Sequence, residues 1–271
     1  MKLRSLLLLS FAWLAPIMPS PGADPAVQLP AKKDFHLFLL AGQSNMAGRG
    51  KLDDEARKPK PRIFSLNKDG EWQPAVDPLH WDKSAAGTGI GKPFAEIVAA
   101  KTPGISIGLI PTACGGSPIA TWTPGASWEQ TKSHPWDDAI ARAKRALQDG
   151  TLKGILWHQG ESDSNAKGAA EHEKRLEELI TRFRTELNAP DLPFIIGQLG
   201  RFPAKPWDEN REAVNAAQQA VAKKMKNVRF VPIPEGTNSI GDNLHFDTPT
   251  LRNFAKGYVD AYLQIVEAAK R

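Results

Sequence analysis

The arrangement of apolar segments limits the folds open to this sequence more than any other feature. Short apolar runs typical of strands alternate with longer segments in which apolar residues recur at helical spacing. This alternation is typical of a parallel sheet covered by helices on both faces. Strands are predicted over 35–41, 63–66, 105–111, 154–158 and 194–199, and helices over 93–101, 137–147, 167–187, 208–225 and 248–269.

Two of these segments carry further detail. Segment 228–233 is also strand-like and is either an edge strand or the extended approach to the last loop. The helix predicted over 167–187 has a charged face and one apolar stripe that should be buried. The stripe consists of Leu176, Leu179, Ile180, Phe183 and Leu187.

The first residues have the pattern of a secretory leader. Lys2 and Arg4 precede an apolar run over 6–14, and proline and small residues follow as far as Ala23. We therefore predict a signal peptide over 1–23, a single domain over 24–271, and a secreted or periplasmic protein. An uncleaved N-terminal anchor is the alternative. No later stretch is apolar for the roughly 20 residues that a spanning helix needs, so stable membrane insertion is not expected.

Charge and cysteine content restrict the partners. The formal charge of +5 falls to +3 once Lys2 and Arg4 are removed with the leader. This is weak support for a polyanionic partner, and we predict no binding to nucleic acid. Cys114 is the only cysteine, so no intrachain disulfide can form.

Ser44 is the first candidate for chemistry. It lies in the segment Gly-Gln-Ser-Asn-Met-Ala-Gly (42–48), directly after the first predicted strand. Ligands of open α/β sheets bind at the carboxyl ends of the strands, where a serine can meet a substrate. A serine that caps the next helix is the commoner use of this residue type.

Two further segments at predicted strand ends could stabilise or orient a reacting group. Gly115 and Gly116 follow the third strand and could turn backbone N–H groups toward an oxyanion, or simply form a tight turn. Gln159 and Glu161 follow the fourth strand, where one offers amide donors and the other a carboxylate acceptor. A polar cap on the next helix is the alternative interpretation.

Asp242 and His245 lie about two hundred residues after Ser44, in a loop before the last helix. A serine hydroxyl needs a base to take its proton, and that base needs a carboxylate to fix its tautomer. A carboxylate three residues before a histidine can reach the Nδ1 side of the ring and leave Nε2 for Ser44. Alone, the pair could equally be an exposed histidine with an aspartate beside it.

Together, these four segments resemble the four sequence blocks of SGNH hydrolases. The variant is the one found in sialate O-acetylesterase-like proteins and in carbohydrate esterase family six. The resemblance implies an α/β fold of the three-layer α/β/α type, with a mainly parallel, flavodoxin-like sheet. It extends from residue 35 to the final helix.

Carried over residue by residue, the resemblance implies Ser44 as nucleophile, His245 as general base and Asp242 as the carboxylate that orients it. The implied oxyanion donors are the backbone N–H of Ser44, that of Gly115 or Gly116, and the side chain of Gln159. Gln159 replaces the asparagine usual in SGNH proteins, as expected in the acetylesterase branch. Glu161 could orient His245 instead of Asp242 or together with it.

The function implied is a serine esterase that removes O-acetyl groups from carbohydrate, without a cofactor or metal. Acetylated xylan or a similar oligo- or polysaccharide is favoured, and O-acetyl sialic acid is the alternative. A non-catalytic carbohydrate-binding protein on the same fold is a second class of hypothesis, because tryptophans near the glycine pair could stack on sugar rings. These are Trp122, Trp128 and Trp136. The sequence does not determine the oligomeric state.

Two other chemistries are less well supported. A zinc site would use His158 with Glu161 and His245 with Asp242, but strand alternation turns His158 away from Gln159. Cys114 beside two glycines at a strand end is more often a small packed residue than a nucleophile.

Overall fold

The computed structural model describes residues 27–270. The signal peptide predicted over 1–23 and its cleavage site lie outside these residues. The strands are β1 (Phe35–Gly42), β2 (Ile63–Leu66), β3 (Trp72–Pro74), β4 (Ser106–Pro111), β5 (Thr151–His158), β6 (Phe194–Gly197) and β7 (Val228–Val231). The helices are α1 (Ser44–Ala47), α2 (Asp54–Arg57), α3 (Gly91–Lys101), α4 (Pro135–Ala146), α5 (Ala166–Glu186), α6 (Glu209–Lys224) and α7 (Thr248–Ala268).

The strands form one seven-stranded sheet in the order β3-β2-β4-β1-β5-β6-β7. All neighbouring pairs are parallel except β2 and β3, which pair antiparallel. With the β2–β3 hairpin set aside, the remaining strands follow the 2-1-3-4-5 order of flavodoxin-like sheets. The predicted α/β fold with a mainly parallel, flavodoxin-like sheet is confirmed.

Helices cover both faces of the sheet, which gives the three predicted layers. Side chains of β1 alternate between two apolar clusters: Phe38 and Leu40 face one, while Leu37 and Leu39 face the other. Helices α3 and α7 contribute to the first cluster, and α4, α5 and α6 to the second. In α5 the predicted stripe is buried, because it is the face that packs against the sheet.

The structure differs from the predicted elements mainly where tertiary pairing sets the boundary. Strand β5 begins at Thr151 instead of residue 154, since Thr151 and Leu152 pair with the first residues of β1. Strand β3 has only three residues, and its extended form comes from its pairing with β2. Strand β7 lies at the edge of the sheet, as one of the two interpretations of segment 228–233 expected.

The parallel strands bring all the candidate segments to one edge of the sheet. Ser44, the glycine pair and Gln159 follow the carboxyl ends of β1, β4 and β5, three neighbouring strands. The loop that carries His245 connects β7 to α7. Across residues 27–270, the structure contains no helix long and apolar enough to cross a membrane.

Candidate active site

Ser44 occupies a sharp turn between β1 and α1. Strand β1 ends at Gly42, whose φ of 128° is a conformation that side chains rarely allow. A Cβ atom there would lie 2.2 Å from the carbonyl oxygen of His158. The N–H of Gln43 donates to that same oxygen at 2.9 Å, and Ser44 then begins α1. The turn therefore presents Ser44 at the tip of the central strand.

Ser44, His245 and Asp242 form a continuous hydrogen-bonded relay. The Nε2 atom of His245 lies 2.9 Å from the Oγ of Ser44, although the residues are 201 positions apart. Its Nδ1 atom lies 2.6 Å from Oδ2 of Asp242. An ionised carboxylate only accepts hydrogen bonds, so Nδ1–H donates to Asp242 and Nε2 accepts from the Ser44 hydroxyl. The three residues named from sequence are thus brought together.

Hydrogen bonds around Asp242 favour its ionised form. Burial alone raises the pKa of its carboxyl group, but hydrogen bonds from the backbone and ring of His245 and from the backbone of Leu244 outweigh that effect. The pKa of Asp242 is therefore lowered from its ordinary value. The backbone bonds, at 2.9 Å from His245 and 3.0 Å from Leu244, also fix the carboxylate in place.

Asn45 joins the turn of the serine to the loop of the histidine. Its Nδ2 atom donates to the carbonyl of Leu244 at 3.1 Å, and its Oδ1 atom accepts the N–H of Phe246 at 3.1 Å. These are the residues on either side of His245. The Nδ2 atom also donates to Oε1 of Glu161 at 2.6 Å. Glu161 therefore contacts Asn45, whereas the carboxylate that contacts His245 is that of Asp242.

The two glycines after β4 are not equivalent in the structure. The N–H of Gly115 donates to Oδ2 of Asp82 at 2.9 Å, and Asp82 is paired with Arg49 at 2.7 Å. The N–H groups of Gly116 and Ser44 have no hydrogen-bond partner among residues 27–270. Of the two alternatives left open by sequence, Gly116 is the one whose N–H remains available.

Contrary to the prediction from sequence, the side-chain donors of Gln159 are not directed at an oxyanion. Its side chain is fully buried, and its amide nitrogen donates to the carbonyl of Ser117 at 3.2 Å and to the carboxylate of Asp163. Both N–H bonds of the amide are therefore used inside the protein. The expected donation from Gln159 to an oxyanion has no counterpart in this geometry, because the neighbouring Asp163 competes for the amide.

Sequence reasoning missed Gln43, which lies next to Ser44 and borders the pocket that contains Ser44 and His245. Its Oε1 atom accepts the backbone N–H groups of Gly160 at 3.4 Å and Ser162 at 3.3 Å. Its amide nitrogen has no partner in the part of the chain that the structure describes. Its position inside the Gly-Gln-Ser-Asn segment could have marked it as a candidate. Only the fold shows that its Oε1 atom is already hydrogen-bonded while its amide nitrogen is bonded to no described residue.

The pocket over Ser44 and His245 has a volume of about 610 Å³, and most of its lining residues are of polar or charged types. Ala85, Ile240 and Leu244 are the apolar side chains among its lining residues. Within residues 27–270, no group of three or more histidine, cysteine or acidic side chains is arranged to hold a metal ion.

Other residues considered from sequence are packed inside the protein. Burial raises the pKa of the Cys114 thiol to about 11, which is the environment of a packed cysteine and not of a thiolate nucleophile. Trp122 and Trp136 belong to the core between the sheet and α4 and α5. Trp128 is partly buried and donates to the carbonyl of Gly115 at 3.0 Å.

Comparison with known proteins relates this chain to carbohydrate esterases. The family described as "Carbohydrate esterase, sialic acid-specific acetylesterase" matches residues 34–264. The chain is 32% identical over 269 residues to the probable carbohydrate esterase At4g34215 of Arabidopsis thaliana, covering 90% of this chain and 96% of that protein. It is 28% identical over 166 residues to human sialate O-acetylesterase, covering 48% of this chain and 31% of the human protein.

Solved structures agree with this assignment. The X-ray structure of the Arabidopsis protein gives a TM-score of 0.75 at 30% identity, covering 87% of this chain and 99% of that one. XAC1771, a carbohydrate acetylesterase from Xanthomonas citri, gives 0.67 at 22% identity, covering 87% of this chain and 57% of that one, and shows the same fold. The resemblance seen in the sequence blocks is confirmed. This chain belongs to the sialic acid-specific acetylesterase family of carbohydrate esterases, within the SGNH hydrolases.

Proposed function

We propose that this carbohydrate acetylesterase removes O-acetyl groups from an acetylated oligo- or polysaccharide through an acetyl-enzyme formed on Ser44. The observation that carries the proposal is the relay from Ser44 through His245 to Asp242, with distances of 2.9 Å and 2.6 Å. A base in contact with a hydroxyl, and itself oriented by a carboxylate, is the arrangement that activates a serine.

In the first half of the reaction, the Oγ atom of Ser44 attacks the acetyl carbonyl carbon while its proton passes to Nε2 of His245. The bond between the carbonyl carbon and the sugar oxygen then breaks. That oxygen takes the proton from His245, and the deacetylated sugar leaves. Asp242 remains ionised and stabilises the positive imidazole ring while it exists.

In the second half, water replaces the sugar. His245 accepts a proton from the water as its oxygen attacks the acetyl carbonyl carbon of the ester on Ser44. The bond to Oγ then breaks, His245 returns the proton to Ser44, and acetic acid leaves and ionises to acetate in water. These steps require no redox change and consume one water for each acetyl group.

Charge on the carbonyl oxygen in both halves needs hydrogen-bond donors. We assign the backbone N–H groups of Ser44 and Gly116 to this role, because they have no partner among residues 27–270 and both residues border the pocket. The amide nitrogen of Gln43 is the side-chain donor available beside the nucleophile. We therefore favour Gln43 over Gln159 as the third donor.

The residues that line the pocket favour a carbohydrate ester with a small acyl group as substrate. A lipid esterase needs an apolar channel for its acyl chain, whereas most of the described residues that line this pocket are of polar or charged types. Acetylated xylan or a similar polysaccharide is the substrate that we propose, and O-acetyl sialic acid is the alternative. A purely sugar-binding role is less well supported, since Trp122 and Trp136 are core residues that cannot stack on a sugar.

The predicted leader over 1–23 supports action outside the cytoplasm. We propose that the mature chain begins near residue 24 and is secreted or periplasmic. Sequencing the first residues of the protein recovered from the medium or periplasm, with its leader intact in the expressed gene, tests this; an uncut N-terminus contradicts it.

The experiment that tests the esterase proposal measures acetate release by the mature protein. The substrates are acetylated xylan, an O-acetylated sialic acid and a chromogenic acetate ester, and Ser44→Ala is the control. We expect release that falls by at least about 10⁴-fold in Ser44→Ala, with an unchanged melting temperature. Full activity of that variant, or no release by the folded wild type, overturns the proposal.

A further inference from the structure

Arg211 is an unpaired cation in the wall of the active-site pocket. It lies in the first turn of α6 and is only 9% exposed. Its guanidinium makes no hydrogen bond or ion pair with any of residues 27–270, although its backbone N–H is bonded to the helix cap Asp208. The same pocket is bordered by Ser44 and His245.

Other arginines with limited exposure in the described chain are satisfied. Arg49 donates to Asp82 and to a carbonyl, and Arg142 donates to two carbonyls. Arg62, Arg182 and Arg184 likewise donate to backbone carbonyls. Arg211 stands apart as a guanidinium of low exposure in the pocket wall whose donors no described residue takes, so that they are open to a ligand from outside the chain.

No described charged residue of the pocket lining pairs with Arg211. The pocket lining contains four cationic side chains and two carboxylates, apart from His245. Arg49 is neutralised by Asp82, and Lys83 donates to Gln130. Asp242 is engaged by His245, and Glu161 accepts from Asn45 through Oε1, while its buried Oε2 has no hydrogen-bond partner among residues 27–270. Lys205, an exposed residue of the same lining without an ion pair among residues 27–270, adds a second positive charge to the pocket.

The fork of N–H donors in a guanidinium matches a carboxylate, and Arg is the residue that most often binds one in a desolvated site. We propose that Arg211, assisted by Lys205, binds a carboxylate on the acetylated carbohydrate, so that the enzyme prefers acidic sugars over neutral ones. The inference rests on the proposed esterase function and specifies its substrate class. Two sources share this chemistry: xylan substituted with uronic acid, and sialic acid.

Arg211 takes no part in the bond-making steps that we propose, so the subsite acts by holding the sugar in place. Its effect should therefore appear in the preference for acid over neutral sugar and not in the chemistry at Ser44. The quantity to measure is the ratio of kcat/KM for an acidic substrate to kcat/KM for a neutral partner of the same size.

The test uses two matched pairs of substrates. The first is an acetylated xylo-oligosaccharide carrying a uronic acid, compared with the same compound after reduction of its carboxyl group to an alcohol. The second is O-acetylated sialic acid compared with its methyl ester. We expect the wild type to prefer the acid of at least one pair by about tenfold to hundredfold, the range for a charge-assisted pair. The pair with the larger ratio identifies the source.

Arg211→Met should bring that ratio close to one, and Arg211→Lys should retain part of it. Arg229→Met is the matched control, because Arg229 is in β7 among the residues at the opposite, amino-terminal edge of the sheet. It should leave the ratio unchanged. If Arg211→Met does not fold, inhibition of the wild type's chromogenic reaction gives an independent measurement: glucuronate should inhibit at a lower concentration than glucose.

The outcomes separate the two proposals. Equal rates on acid and neutral partners, with Ser44-dependent turnover of the chromogenic ester, overturn the carboxylate subsite and leave the esterase function standing. An acid preference that persists in a folded Arg211→Met also overturns the subsite. Absence of acetate release from every substrate overturns the esterase function, and the subsite with it.

Discussion

At the scale of single residues, the site combines one local contact with one long-range contact. Asp242 and His245 are three residues apart, so a single turn of the loop places the carboxylate against Nδ1. Ser44 approaches the same ring from 201 residues away, and Asn45 bonds both neighbours of His245 to hold the two segments together. The residue-level predictions concern these two contacts.

The first prediction separates the two acidic side chains near the relay. Asp242→Asn should lower kcat/KM by about 10⁴-fold, because an amide can donate to Nδ1 and stabilise the wrong tautomer of His245. Glu161→Gln should cost far less, since Glu161 contacts Asn45. The measurement is turnover of a chromogenic acetate ester by both purified variants. Equal, small effects would mean that neither carboxylate orients the histidine.

The second prediction concerns the bridge made by Asn45. Asn45→Ala removes its bonds to Leu244 and Phe246, and should lower kcat/KM by about tenfold to hundredfold through loss of the orientation of His245. Because Glu161 acts through Asn45, adding Glu161→Gln to Asn45→Ala should cost little more. A double-mutant cycle on kcat/KM checks this, with melting temperatures as the control for folding. Fully additive losses would contradict the coupling of Glu161 to Asn45, and an unchanged kcat/KM in Asn45→Ala would contradict the bridge.

At the scale of elements, the turn from β1 into α1 sets the position of the nucleophile. Gly42 adopts positive φ against the carbonyl of His158 in β5, so the turn is defined by two neighbouring strands. The loop before α7 is positioned by Asp247, which caps α7 by accepting the N–H of Thr250 at 2.9 Å. Phe246, the residue that follows the proposed base His245, is fully buried beside His158 and anchors this loop.

The third prediction tests the turn. Gly42→Ala introduces both a strained backbone conformation and a Cβ atom 2.2 Å from a carbonyl oxygen. It should destabilise the protein by several kcal/mol, on the order of a buried steric clash, and displace Ser44. Gly236→Ala is the matched control, because Gly236 also has positive φ, at 70°, but a Cβ there meets no atom within 4 Å.

Urea unfolding and turnover of the chromogenic ester measure the two effects. Gly236→Ala should show only the cost of the backbone conformation, about 1 kcal/mol, with turnover retained. If both variants lose the same stability and activity, close approach of β5 does not determine the turn.

At the scale of the whole molecule, two apolar clusters on opposite faces of one sheet supply the stability, and buried polar groups modify it with pH. Asp77 is the clearest case. Burial raises the pKa of its carboxyl group to about 7, although the charge of Lys92 acts in the opposite direction. Glu96 raises this pKa further, while the Gly89 N–H and Arg252 lower it.

The fourth prediction follows from this shift. Since an unfolded aspartate has a pKa near its ordinary value, the folded state binds the extra proton between about pH 4 and pH 7. The free energy of unfolding should therefore fall as pH rises through this window, by on the order of 1 kcal/mol per pH unit. Asp77→Asn should lack this contribution. Urea midpoints of both proteins from pH 5 to 8 check it, and parallel pH profiles would contradict it.

Much of the architecture could be predicted because it depends on local patterns. Apolar alternation and helical stripes determine which segments can be strands and helices, and the order of those segments predicts a parallel sheet with helices on both faces. The candidate residues Ser44, Asp242 and His245 were found in the same way, from short motifs at strand ends and in one loop. Strand β3 escaped prediction because three residues acquire an extended form only by pairing with β2.

The sequence by itself therefore determined the α/β layers, the edge of the sheet that carries the site, and the residues of the proposed relay. Only the tertiary structure decided which hydrogen-bonding groups are occupied. The N–H of Gly115 is taken by Asp82, the amide of Gln159 by Ser117 and Asp163, and the guanidinium of Arg211 by no described residue. The physical reason is that spacing along the chain sets local geometry, whereas the availability of a donor depends on partners that are distant in sequence.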